Sequence, residues 1–182
     1  NLAATDVVLD SPTNNFATWN PLWINTNGNG NGIFSEGNLV LSQNTTAYIH
    51  NNANFGMNSN KYYWEVYVST NTFVQGIGIA NTDHNGSLSS TNHWTYHYDG
   101  TKYSGGSNSA YGSAWSAGDV LGFAYDADTG TLVCYKNNTS QGTLVSGLSG
   151  EMFAHAYLYS THSLYANFGQ DSSFAGNKTA QG

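Results

Sequence analysis

Three features of the sequence predict an all-β chain, built as a two-sheet antiparallel β-sandwich. The first is residues 118–142, GDVLGFAYDADTGTLVCYKNNTSQG, which at a period of two read as two strands around a tight turn. The second is a succession of short alternating apolar runs separated by Gly, Asn and Ser. The third is that no window offers an amphipathic helix longer than a turn or two. Many short strands with polar turns bury their apolar faces by packing one sheet on another.

Along 119–126, Leu121, Phe123 and Tyr125 fall on one face, and Val120, Gly122 and Ala124 on the other. Asp128-Thr129-Gly130 supplies the turn, because Asp and Gly tolerate the positive φ of tight hairpins. Residues 131–136 return as the partner strand, and Asn137-Asn138 opens the next reversal. The other expected strands are 38–42, 46–50, 61–69, 74–80, 93–98, 153–159 and 163–169. On 61–68 the pleat puts Tyr62, Trp64, Val66 and Val68 toward the core. Tyr63, Glu65 and Tyr67 lie on the face that is exposed or packed under a loop. Ile77, Ile79, Leu164, Ala166 and Phe168 extend the expected core.

Residues 1–33 read as mostly irregular, with an apolar patch at 19–24 and a surface loop, NTNGNGNG, at 25–32. The expected organisation is a sandwich at 36–175, preceded by a segment, 1–35, that packs on it or on a neighbouring subunit. Residues 176–182 form a tail or the start of a linker. A length of 182 residues suits one domain with a sizeable core.

Only 8% of residues are charged, against about 25% in an average soluble domain. The chain has four lysines, no arginine and a net charge of −7, which argues against nucleic acid and against anionic membrane surfaces as partners. No apolar run approaches a membrane span, and no basic region followed by an apolar stretch opens the chain. With 14% aromatic residues in alternating runs, the chain can bury enough apolar area to fold. Cys134 is the sole cysteine; it excludes an internal disulfide and reads as a small buried residue on its strand.

Motifs for chemistry are weak. Asp126-x-Asp128-x-Gly130 opens like a calcium loop, but its twelfth position is Asn137 and it runs into a strand, so a self-capped hairpin turn is expected. His93, Thr95 and His97 share one strand face, yet no third ligand is evident nearby. They read as a half-exposed pair, with His50, His84, His155 and His162 scattered. No metal site and no cofactor are expected. The three glutamates, Glu36, Glu65 and Glu151, form no acid/base pair. Gly76-x-Gly78 lies within a strand and is no phosphate loop, and no Gly-x-Ser-x-Gly elbow is present. A non-catalytic chain is expected.

What remains is surface chemistry. Residues 82–93 and 102–115 read as long polar loops interleaved with aromatic rings, a composition that suits adaptable binding surfaces and sugar-stacking platforms. The candidate ligand-binding residues are Asn85, His93, Trp94, His97, Tyr103, Tyr111 and Trp115. The same rings equally suit capping of the sandwich.

The hairpin's Gly118-Asp119 entry, its Asp126-x-Asp128-x-Gly130-Thr131-Leu132 turn and its Tyr135-x-Asn137 exit carry a resemblance. Lys61-Tyr62-Tyr63-Trp64-Glu65-Val66, Tyr98-Asp99-Gly100-Thr101-Lys102, Tyr111-Gly112 and Asn167-Phe168-Gly169-Gln170 with Phe174 follow in matching order. Over roughly residues 36–175 the chain resembles the SPRY (B30.2) domain family, which implies a concanavalin A-like jelly roll with its ligand surface on the loops at one end. The opening from Ser11 to Leu22 and the tail from Phe174 to Thr179 are similar to SPRY-containing bacteriophage structural proteins. That similarity implies a virion-surface module, as tail fibre, receptor-binding or capsid-decoration protein. Its expected partners are other virion subunits and a host cell-surface glycan or protein, with a homotrimer as the fibre-like assembly. The alternative is a cellular interaction module that binds a short peptide.

Overall fold

The computed structural model describes residues 15–23, 32–70 and 75–178. Residues 1–14, the expected loop apart from Gly32, Val74 and residues 179–182 lie outside the described residues. Among those described, every regular element is a strand. The first five are β1 (Ile33–Ser35), β2 (Val40–Gln43), β3 (Tyr48–Asn52), β4 (Lys61–Thr70) and β5 (Gln75–Asn81). Next come β6 (His93–His97), β7 (Thr101–Ser104), β8 (Ser107–Ala110) and β9 (Val120–Asp126). The chain continues through β10 (Thr131–Lys136), β11 (Thr139–Val145), β12 (Met152–Tyr159) and β13 (His162–Asn167).

Two antiparallel sheets result, one ordered β1-β2-β13-β4-β9-β10-β11 and the other β3-β12-β5-β6-β7-β8. Pleat parity fills the space between them. From the seven-stranded sheet come Leu41, Leu164, Ala166, Trp64, Val66, Val68, Leu121, Phe123, Tyr125, Leu132, Cys134 and Leu144. Ile49, Ala154, Ala156, Leu158, Ile77, Ile79 and Tyr96 face them from the six-stranded sheet. Trp64 and Phe123 are register partners on β4 and β9, and their rings stack at 5.3 Å. The Cys134 thiol sits among these groups, and burial pushes its pKa up to about 12.

The hairpins follow from local chemistry. Asp126 Oδ1 accepts hydrogen bonds from the Asp128 and Thr129 amides, and Gly130 closes the turn at φ 62°. A Cβ there would overlap the Leu148 backbone, so the position requires glycine. Asn137 and Asn138, at φ 47° and 64°, form the two-residue turn between β10 and β11.

Several expectations need correction. Residues 102–115 are not one long loop: Lys102 and Tyr103 lie on β7, and Ser107–Ala110 forms β8 at the sheet edge. Residues 139–145, unassigned from sequence, form β11. Tyr62 packs half-buried against the core, as its parity predicts, and Glu65 on the opposite face is not exposed but buried; its carboxylate accepts from the Tyr63 hydroxyl at 3.1 Å and from Asn167 at 3.4 Å. No correction applies to the N-terminal segment: Trp19 is buried in the core, bridges Ala53 and meets Phe168 edge-on, and residues 15–23 lie against the sandwich.

Removing the Trp64 ring leaves a large void at the centre of the core. Trp64→Ala is expected to cost about 3–5 kcal/mol, read as a lowered urea midpoint. An unchanged midpoint would contradict this core assignment.

Candidate functional site

Strand parity also decides what the outer face of the six-stranded sheet carries. His50 on β3, His155 and Tyr157 on β12, His93, Thr95 and His97 on β6, and Tyr103 on β7 all lie there. Between them β5 presents only small residues, Gly76, Gly78 and Ala80. A Cβ on Gly76 would overlap the Tyr157 ring, and one on Gly78 the Trp94 carbonyl. The Gly-x-Gly of this strand therefore makes room for large rings on either side. Residues 82–92, joining β5 to β6, fold over part of this face and bring His84 onto it. The Trp23 ring stacks on His84 at 5.9 Å.

Two adjoining groups form. The first is a pocket of about 320 Å³ lined by His93, His97, Tyr98, Asp99, Thr101, Tyr103, Tyr157, Leu88 and Asn108. In its wall His93 stacks on Tyr103 at 4.4 Å. A directed chain of hydrogen bonds runs through His97. The Thr101 hydroxyl donates to Asp99 Oδ1 at 2.6 Å and so accepts from His97 Nδ1 at 3.4 Å, which leaves Nε2 to accept from the Tyr157 hydroxyl at 3.0 Å. Burial lowers the His97 pKa to about 4 against an opposing pull from Asp99, and it raises that of the Tyr157 hydroxyl. Burial would raise the Asp99 carboxyl, but the Thr101 hydrogen bonds outweigh it and the net shift is downward.

The second group is a set of buried imidazoles. His50 Nδ1 lies 3.2 Å from His84 Nε2 and 3.4 Å from His155 Nε2, and His155 Nδ1 donates to Asn52 Oδ1 at 2.6 Å. The His93 ring centroid is 4.8 Å from that of His84. The expectation that His50, His84 and His155 are scattered is thus wrong: their imidazoles converge. Their positions lie far apart in sequence, and the β3-β12-β5 order joins them. His93 is buried, not half-exposed, while His97 is partly covered. Burial lowers the pKa of His84 to about 4 and of His93 to about 3, and takes His50 and His155 well below 6.5.

Of the residues expected to bind ligand, the pocket brings together His93, His97 and Tyr103. Trp115 is instead a core residue, 2% exposed. Trp94 points to the opposite side of β6, against the core. Tyr111 packs edge-on against Tyr96 and donates to the Gly142 carbonyl. Asn85 is exposed on the covering segment, where its side chain caps the Ser87 amide. Tyr157, Asp99 and Asn108 were not among the expected residues; the alternation of Tyr157 with Ala156 and Leu158 was the available signal.

A histidine held neutral in the fold but free to protonate when unfolded makes stability fall with acidification. For His97 the unfolded value is 6.5 and the folded value about 4. Its contribution is therefore complete above the first and lost progressively as pH falls toward the second, in parallel with His84 and His93. His97→Gln is expected to flatten the decline of the thermal midpoint across this window by up to one proton. A decline of wild-type steepness would show that His97 is not held neutral.

The sequence model of the SPRY domain family matches residues 61–171. A similar solved structure is the crystal structure of the SPRY domain of human HERC1, with a TM-score of 0.66 at 17% identity. The alignment covers 73% of this chain and 90% of that one. At that identity the likeness speaks to the fold, and it agrees with the two-sheet sandwich. No curated protein sequence matches the chain. SPRY domains are in general protein-interaction modules, and on the family match this chain belongs to the SPRY domain family.

Proposed function

We propose that the chain is a non-catalytic binding module on the surface of a bacteriophage particle, as a tail-fibre, receptor-binding or capsid-decoration protein. In this reading it takes a host cell-surface glycan or protein segment into the pocket on the outer face of the six-stranded sheet. The observation that carries the binding role is the chemistry of that pocket. Tyr98, Tyr103, Tyr157 and two imidazoles surround a cavity that also presents Asp99, Thr101 and Asn108. Aromatic faces take the apolar side of a sugar ring, and neutral amide and hydroxyl groups pair with its hydroxyls.

The virion setting draws support from the resemblance of the terminal segments to phage structural proteins, and from the scarcity of charge. Contacts made by neutral groups are little screened by salt, which suits a particle that acts outside the cell at varied ionic strength. Neighbouring virion subunits are the further partners of this reading, with a trimer as the assembly. Family membership favours a second reading, a cellular module that holds a short peptide. The exposed Phe55 and Tyr63, beside an apolar cavity lined by Phe16, Tyr62, Trp64 and Phe168, offer such a peptide a second landing place.

Adsorption of the full chain to bacterial cells, combined with a glycan array, tests the first reading. Tyr103→Ala is expected to weaken that adsorption by about tenfold or more, measured at a temperature where both the variant and the wild type are folded. Capture of a defined linear peptide, without cell or glycan binding, would replace this reading with the second.

A further inference from the structure

We propose that His50, His84 and His155 together bind one divalent transition-metal ion of the zinc class. The site lies on the outer face of the six-stranded sheet and is separate from the pocket. The inference does not depend on what occupies that pocket.

The geometry is that of a tripod. A tetrahedral ion with metal–nitrogen bonds of 2.0–2.1 Å holds its ligand nitrogens about 3.3–3.4 Å apart. His50 Nδ1 stands 3.2 Å from His84 Nε2 and 3.4 Å from His155 Nε2, and the three ligand atoms all lie within 4.8 Å of one another. Each imidazole arrives from a different part of the fold. His50 is on β3, His155 is on its neighbour β12, and His84 is on the segment that crosses over them.

Proton accounting favours a cation at the centre. His155 Nδ1 spends its proton on Asn52 Oδ1, so its Nε2 presents a lone pair to the triad. His50 Nδ1 faces two nitrogens and holds at most one proton, so it satisfies one contact and leaves the other short. The outward nitrogens, His50 Nε2 and His84 Nδ1, are buried with no hydrogen-bond partner among the described residues. An ion accepts all three inward lone pairs at once, and each proton then sits on an outward nitrogen. Burial keeps these rings in the neutral form that coordinates metal.

The donor set selects the class of ion. Three imidazoles without a carboxylate suit zinc, cobalt, nickel or copper, and suit calcium or magnesium poorly. Three protein ligands leave a fourth position, as in open zinc sites, and the His93 ring lies beside the triad. The ion would pin residues 82–92 to the sheet. That segment supplies Leu88 to the pocket wall, so metal binding would also fix one side of the pocket.

The test uses the full chain, stripped with a chelator and titrated with zinc by calorimetry. One zinc per chain is expected, with a raised thermal midpoint. His84→Ala is expected to weaken binding by at least ~100-fold, whereas His162→Gln, on β13, should bind as the wild type does. Anomalous scattering from zinc-soaked wild-type crystals gives a readout independent of whether the variant folds. A peak between the three imidazoles supports the site. Absence of stoichiometric binding, a folded His84→Ala that binds normally, or anomalous peaks confined to exposed side chains would overturn it.

Discussion

The six-stranded sheet is packed on both faces, and the rest of the molecule answers to that constraint. One face is the ordinary interior of a sandwich, where Ile77, Ile79, Ala154, Ala156 and Leu158 meet the seven-stranded sheet. The other carries imidazoles and phenols, buried under residues 82–92 on one side and lining the pocket on the other. Its central strand β5 contributes Gly76 and Gly78 there, because a larger residue at either position would collide with the Tyr157 ring or the β6 backbone. Buried polar groups need partners, and polar groups on neighbouring strands, on the covering segment and in the β6–β7 turn supply them. The hydrogen-bond chain through His97 and the converging nitrogens of His50, His84 and His155 are two outcomes of that one requirement.

Scarcity of charge shapes the remainder. Two ion pairs occur among the described residues, an exposed Lys61–Asp126 pair and the Lys136–Asp119 pair at 3.3 Å. Lysines also donate to backbone carbonyls: Lys102 to Leu144, Lys136 to Ala114 and Lys178 to Gly118. Asp and Asn side chains close turns on their own backbone, as Asp99 does for Thr101 and Asp171 for Ser173. Exposed ion pairs contribute little in any case. Stability here rests on apolar burial and neutral hydrogen bonds, both only weakly sensitive to ionic strength.

Apolar alternation made much of the fold legible. The β9–β10 hairpin, the inward set Trp64, Val66 and Val68, and the pair Ile77 and Ile79 could be read from period two because their large apolar side chains all fall on one face of each strand. Where strands carry small polar residues the signal fails. Ser107–Ala110 is exposed throughout and Thr139–Val145 mostly so, and these strands are held by backbone pairing at a sheet edge, which leaves no trace in hydropathy. The candidate site was half legible. His93 and His97 share a strand and could be paired by parity, but His50, His84 and His155 meet only through strand order, which is a non-local property. Trp115 and Trp94 misled because a polar neighbourhood in sequence says nothing about which way a ring turns.

The central claim is that loop 82–92 and neighbouring rings turn part of an outer sheet face into an interior. Histidine ring resonances, followed by NMR through an acid titration of the metal-free chain, test it most directly. The account predicts that His50 and His155 remain neutral well below 6.5, the ordinary imidazole value, until the protein unfolds. Free titration of either ring around that value in the folded chain would show that water reaches this face and would contradict the account.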